Sequence, residues 1–286
     1  MKVIRAEHLG MCFGVRDAIA LALDRAKTEP LTILGELVHN EIVLSRLRSQ
    51  GIRIENDALQ VATRTAMVTA HGASERAINQ ASERGLTVIE ATCPLVRLAH
   101  RSAVKLVREG CYPVVIGKRG HVEVRGLTED FDECSILLSD AELEAIPEKP
   151  KYGVVAQTTQ PIDKVRHWVA RLQDRFPHAE VRFIDTVCLP TKQRQASAVE
   201  MSQQVDAVIV VGGNASNNTR ELAATCRQYC PKVHQIQTAA DLRPEWFSDI
   251  RTAGLTAGTS TPDSVIDEVE RQLLEWETAH APFLLS

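Results

Sequence analysis

Short apolar runs alternate along the chain with segments whose apolar residues recur at helical spacing. Strand-like runs are read at Lys2 to Glu7, Leu31–Leu34, Ala66–Thr69, Leu86–Ile89, Pro113–Ile116, Tyr152–Ala156, Val181–Ile184, Ala207–Val211 and Leu255–Ala257. Helical spacing follows at Val15 to Lys27, Glu41 to Ser49, after Ser74 to about Arg84, and from Pro94 to about Arg108. Repeated strand, polar turn and helix predict an α/β fold with mostly parallel sheets covered by helices.

In such sheets ligands bind at the edge where strands hand over to helices. The turns at that edge carry His39, Asn40, His71, His121, Glu123, Thr158, Thr159, Ser216, Asn218 and Ser260. Helix N-termini with neutral donors make an anion site without much net positive charge, although Ser, Thr and Asn there also serve as caps.

Seven cysteines fall into two classes. Cys12, Cys93 and Cys188 each sit in a turn opening a helix, 81 and 95 residues apart, one for each α/β unit. At a helix N-terminus the dipole favours thiolate, which can act as nucleophile, redox group or metal ligand. Three such thiolates from three lobes could converge on one centre. Zinc and an iron–sulfur cube with one open iron both remain compatible with three cysteines. Cys111 and Cys134 border strands, and Cys226 and Cys230 lie one helical turn apart; these read as structural thiols.

Charge and composition narrow the classes. A net charge of -4 and 4% aromatic residues give no case for nucleic acid. No apolar run reaches the roughly 20 residues that span a bilayer, and the first residues lack a secretory apolar core. An odd number of scattered cysteines reads as reduced thiols in the cytoplasm.

Cys12-Phe-Gly-Val15, Gly35-Glu-Leu-Val-His-Asn40, Ala70-His-Gly-Ala-Ser74, Ala91-Thr-Cys-Pro-Leu95, Gly120-His-Val-Glu-Val124, Gln157-Thr-Thr159, Cys188 with Arg194-Gln195, and Ala257-Gly-Thr-Ser-Thr-Pro-Asp263 occur in order over nearly the whole chain. Together they resemble the 4-hydroxy-3-methylbut-2-enyl diphosphate reductase family, iron–sulfur enzymes of the non-mevalonate isoprenoid pathway. The resemblance implies reductive loss of the substrate's allylic hydroxyl, with isopentenyl and dimethylallyl diphosphates as products. It implies three pseudo-equivalent α/β lobes around a central cluster, expected here at 1–94, 95–188 and 189–265, with a C-terminal helix and tail, 266–286, packing back on the first lobe. By motif, Cys12, Cys93 and Cys188 would ligate a [4Fe–4S] cluster, or its [3Fe–4S] form after isolation. His39, His71, His121, Ser216, Asn217, Asn218 and Ser260 would hold the diphosphate. Glu123 would supply protons, and Thr158 would bond the substrate hydroxyl and relay them beside His121. A ferredoxin or flavodoxin is the implied electron donor, with no nucleic-acid or membrane partner.

Two positions depart from the family's pattern. Asn217 stands where a small hydroxyl residue is usual, and Pro190-Thr191 replaces an Ala-Thr pair. An amide can still donate, and proline suits a first helical turn.

Overall fold

A computed structural model describes residues 1–279. Its strands are β1 (Lys2–Arg5), β2 (Leu31–Leu34), β3 (Arg53–Glu55), β4 (Thr65–Val68), β5 (Thr87–Glu90), β6 (Tyr112–Ile116), β7 (Ser135–Leu137), β8 (Lys151–Ala156), β9 (Glu180–Phe183), β10 (Ala207–Val211), β11 (Val233–Ile236) and β12 (Thr252–Ala257). The helices are α1 (Phe13–Arg25), α2 (Glu41–Ser49), α3 (Glu75–Glu83), α4 (Pro94–Arg108), α5 (Val122–Thr128), α6 (Asp140–Glu144), α7 (Ile162–Arg175), α8 (Leu189–Ser202), α9 (Asn217–Cys226) and α10 (Asp263–Ala279).

The strands form three four-stranded sheets, ordered β3-β2-β4-β5, β7-β6-β8-β9 and β11-β10-β12-β1. Every pairing in them is parallel. Written this way the sheets are one pattern used three times, and the α/β class read from the alternation holds. In the first two the four strands are contiguous in sequence. The third takes its last strand from the beginning of the chain, because β1 pairs with β12 in the register Lys2↔Thr252 to Arg5↔Leu255.

That pairing differs from the expected lobe 1–94. Residues 2–5 complete the last sheet, and α10 packs on that sheet through Val265, Ile266, Val269 and Leu273. The physical reason is that β1 is a short strand whose apolar Val3 joins the core shared with α10. Of the expected tail, residues 280–286 lie outside the described residues.

The chain divides into two compact units. One comprises Met1–Val15, His39–Val43 and the chain from Leu189 onward; the other comprises Arg16–Val38 and Leu44–Cys188. The first contains the β11-β10-β12-β1 sheet. Its central strands β10 and β12 bury both faces, as inner parallel strands must. Val208 and Val210 face Ala198 and Met201 of α8 and Leu222 and Ala223 of α9. Ile209, Val211 and Leu255 face α10.

The second unit holds the other two sheets. In the β7-β6-β8-β9 sheet, Val114, Ile116, Val154 and Ala156 pack against Val165, Trp168 and Leu172 of α7. On the opposite face Val115 and Val155 pack against Ala99, Ala103 and Leu106 of α4 and Val124 and Leu127 of α5. Helix α4 thus leaves the end of β5 and covers the neighbouring sheet, so the Cys93 turn is fixed by both sheets of its unit.

Candidate active site

The three cysteines occupy the same place in the repeated pattern. Cys12 follows β1, Cys93 follows β5 and Cys188 follows β9, each the last strand of its sheet. Each backbone N–H donates to a carbonyl on the turn after the adjacent strand: Cys12 to Thr259 at 3.1 Å, Cys93 to Ala70 at 3.0 Å and Cys188 to Thr158 at 3.0 Å. Those three turns carry Ser260, His71 and Thr158. One backbone bond therefore ties each cysteine to a polar candidate, three times over.

Burial separates the two cysteine classes at every position except Cys134. Cys12, Cys93 and Cys188 are half-buried, whereas Cys111, Cys226 and Cys230 are buried, and no cysteine is in a disulfide. Burial pushes the Cys111 and Cys226 thiols above their ordinary value, which suits inert packing. Helix α9 ends at Cys226, so Cys230 lies in the turn beyond it rather than in the helix. The half-buried Cys134 thiol is also raised by burial.

In the second unit His71 and His121 meet edge to face, with ring centroids 5.4 Å apart. His121 caps α5, its Nδ1 accepting the N–H of Glu123 at 3.1 Å. This leaves Nε2 as the nitrogen that carries the proton in the neutral ring. Glu123, in the first turn of α5, is 1% exposed. Its Oε1 accepts the backbone N–H of Thr158 at 2.6 Å. Its Oε2 is buried without a hydrogen-bond partner. Burial raises this carboxyl from 4.5 to about 7, against the opposing hydrogen bonds from the Thr158 backbone and side chain. The result is a carboxyl that carries or releases a proton near neutral pH.

Gln157 braces this arrangement. Its Oε1 accepts from Lys118 N–H at 3.1 Å and Gln160 Nε2 at 3.2 Å, and its Nε2 donates to Thr159 Oγ at 3.1 Å. The turn after β6 and the turn after β8 are thereby held together. A cavity of about 790 Å³ in the same unit is lined by Gly35, Gly72, Ala73, Val122 and Gly126 and by none of the candidate side chains.

In the first unit, Ser216 caps α9 by accepting from Thr219 N–H at 3.3 Å. Asn218 Oδ1 accepts the N–H of Thr259 at 2.9 Å, joining the turns after β10 and β12. Asn217 Nδ2 and Ser260 Oγ are buried and have no hydrogen-bond partner. Two donors are therefore available beside a helix N-terminus, the arrangement that favours an anion. His39 belongs to this unit although β2 before it belongs to the other. A Cβ on Gly213 would collide with the His39 carbonyl oxygen and lie 3.4 Å from Asn40 Cα. Only glycine admits that approach. Asn40 itself serves as a cap, its Oδ1 accepting from Ile42 N–H at 3.1 Å.

Residues 3–274 match the family model described as LytB protein. The chain belongs to the LytB family. A 4-hydroxy-3-methylbut-2-enyl diphosphate reductase of Geobacter metallireducens is 36% identical over 281 residues, covering 98% of this chain and 99% of the relative. Its counterpart in Pelobacter propionicus is 37% identical over 271 residues, covering 94% and 96%. Among solved structures, the E-1-hydroxy-2-methyl-but-2-enyl-4-diphosphate reductase of Plasmodium falciparum superposes with a TM-score of 0.89 at 25% identity, over 99% of this chain and 89% of that one. A second, described as (E)-4-hydroxy-3-methyl-but-2-enyl diphosphate reductase, the terminal enzyme of the non-mevalonate pathway, gives 0.66 at 32% identity, over 96% and 100%. The family assignment therefore rests on nearly the full length, as the ordered motifs anticipated.

Thr259, Arg194 and His100 also contribute to the candidate site; Thr259 and Arg194 lie within the turn motifs but not among the residues expected to act, and His100 lies in none of them. Thr259 acts through its backbone, accepting from Cys12 and donating to Asn218. Arg194 Nε donates to Gly10 O at 2.9 Å and its Nη1 to Pro190 O at 3.0 Å, which ties the Cys12 turn to the start of α8. His100 on α4 packs where Gly126 has no side chain, 3.2 Å from the place a Cβ would take, and burial lowers its pKa. Among the described residues no group of three or more His, Cys, Asp or Glu is gathered as a metal ion would require. Three half-buried thiols in equivalent turns are soft ligands of the kind iron–sulfur chemistry uses.

Proposed function

We propose that this chain reduces 4-hydroxy-3-methylbut-2-enyl diphosphate to isopentenyl and dimethylallyl diphosphates. The observation that carries the reading is the buried Glu123 carboxyl, clamped by Thr158 on one oxygen and bare on the other, in a chain of this family. In the reaction an allylic C–O bond breaks, two electrons enter, one proton completes a water molecule and a second forms the new C–H bond.

A [4Fe–4S] cluster held by Cys12, Cys93 and Cys188 would supply one-electron reduction and Lewis acidity at the hydroxyl. The remaining steps belong to the chain's own residues. Hydroxide is a poor leaving group, so an acid is needed beside the departing oxygen. Glu123 holds that proton near pH 7, and the Thr158 hydroxyl hydrogen-bonds the carboxyl and passes the proton to the substrate oxygen. His121, with Nδ1 already accepting from Glu123 N–H, presents Nε2–H as a donor.

Diphosphate oxygens would be taken by His39, His71, His121, Ser216, Asn217, Asn218 and Ser260. Binding of this remote group positions the allyl carbon for reaction. Electrons would come singly from a ferredoxin or flavodoxin. A disulfide-free chain with seven thiols suits the reducing cytoplasm. Among the described residues no helix is long and apolar enough to cross a membrane.

Anaerobic turnover of the allylic diphosphate with a chemical reductant tests the reading. Brown protein that forms both five-carbon diphosphates supports it. Colourless, zinc-loaded protein that leaves the substrate intact overturns it.

A further inference from the structure

Helix α4 begins immediately after Cys93, with Cys93 as its N-cap and Pro94 in its first turn. Its inward residues Val96, Ala99, Ser102, Ala103 and Leu106 are buried. Its outward face carries Arg97, Arg101, Lys105 and Arg108, all exposed, and the helix contains no acidic residue. These positions follow one another at intervals of four, four and three, so they form one ridge. A helix of charge +4 is out of keeping with a chain of net charge -4.

Neutralisation of this ridge is partial. Arg97 pairs with Glu90 at 3.0 Å, and Lys105 approaches Glu109 at 3.9 Å. Arg101 and Arg108 make no ion pair among the described residues. Within the ridge Leu98 is 48% exposed, an apolar contact point between Arg97 and Arg101. Arg101 lies about 12 Å along the helix axis from Cys93 at 1.5 Å per residue. From Arg97 to Arg108 the ridge spans about 17 Å by that rise, the scale of the small, transient interfaces that electron-transfer partners use.

We propose that the outward face of α4 is the docking surface for an acidic one-electron carrier protein, centred on Leu98 and steered by Arg101, Lys105 and Arg108. The proposal rests on the reductase reading, which requires two electrons delivered one at a time close to a cysteine that would ligate the cluster. A basic ridge that is only partly neutralised raises the local concentration of an acidic partner and its association rate. The exposed leucine supplies a dry centre for the contact. Charge at this face would govern encounter with the carrier and leave the chemistry at Glu123 untouched.

The test compares two reductants anaerobically: reduced methyl viologen, a small cation, and a reduced plant-type [2Fe–2S] ferredoxin of net negative charge. In Arg101→Glu/Lys105→Glu/Arg108→Glu the expected result is an unchanged viologen-driven rate. The ferredoxin-driven kcat/KM should fall at least roughly tenfold at low ionic strength, the gap closing near 0.5 M salt as screening takes over. Leu98→Ala should raise KM for ferredoxin several-fold without salt dependence. Calorimetric titration with oxidised ferredoxin reads docking without turnover, and the triple variant should bind at least tenfold more weakly. Wild-type ferredoxin-driven rates and binding in the triple variant overturn the proposal. So does binding of the ridge to phosphatidylglycerol vesicles with ferredoxin kinetics unaffected by charge reversal. Absence of viologen-driven turnover in the wild type counts against the reductase reading, and calorimetry still decides the docking surface.

Discussion

The Thr158 backbone N–H donates to Glu123 Oε1 at 2.6 Å, across two turns of one sheet, and leaves Oε2 as the only unoccupied acceptor of a fully buried carboxyl. Since Thr158 O also accepts the N–H of Cys188 at 3.0 Å, the same residue links the buried carboxyl to a cysteine turn.

Glu123→Gln keeps an acceptor for Thr158 but removes the proton. Turnover should drop by about 100-fold or more, within the range assigned to general acids, while diphosphate affinity stays within a few-fold. Steady-state kinetics with direct substrate titration checks both. Wild-type turnover would remove Glu123 from the acid role.

The same substitution has an effect on stability whose sign follows from the shift. With the carboxyl raised from 4.5 to about 7, the folded chain retains a proton between those values that the unfolded chain has lost. The site's burden is thus absent below about 4.5 and grows as pH rises to about 7, reaching on the order of 3 kcal/mol. Glu123→Gln should therefore raise the melting temperature, more at pH 8 than at pH 5. Equal increments at both pH values would contradict the shift.

Activity should carry the complementary signature. An acid that must be protonated loses its function as pH rises through its pKa. The kcat/KM profile of the wild type, driven by a chemical reductant, is expected to have an alkaline limb centred near 7. That limb should be missing from the residual activity of Glu123→Gln.

The two cysteine classes should respond differently. Cys12→Ser, Cys93→Ser and Cys188→Ser are each expected to lose iron, visible absorbance and turnover while keeping the circular dichroism of the wild type. Cys226→Ser should keep iron and colour and lose about 1–3 kcal/mol, from placing a hydroxyl in an apolar core. Iron analysis with chemical denaturation separates these outcomes.

Gly213→Ala sets a Cβ against the His39 carbonyl oxygen. Relief requires the His39–Asn40 segment to move, at a cost of about 1–3 kcal/mol. KM for the diphosphate should rise further than kcat falls. An unaltered KM would show that His39 does not depend on this approach.

The structure shows why some features were legible and others were not. Six of the nine strands that stood out carry runs of buried apolar residues, such as Ala207–Val211, buried at every position, while β1, β5 and β9 are half-exposed and stood out by their apolar residues alone. Missing from that reading were β3, β7 and β11, which are the same outer-edge strand in each of the three sheets. They have three or four residues and are mostly half-exposed, so they lack both the length and the apolar run that announce a strand. The expected site residues were visible through turn motifs because those turns carry polar side chains in order along the chain. Thr259 lies within one of those motifs yet does not stand out as a site residue, since only its backbone is used. The place of β1 was equally hidden, because nothing local to Lys2–Arg5 names a partner at Thr252–Leu255.

That pairing sets an order of events during synthesis. β1 and β12 lie about 250 residues apart, Lys2 against Thr252. At 5–20 residues per second the first strand waits roughly 12–50 seconds for its neighbour to be made. The other two sheets, contiguous in sequence, can close in the meantime. The turn bearing Cys12 is thus translated before any other part of the site and is the last to acquire its fixed place.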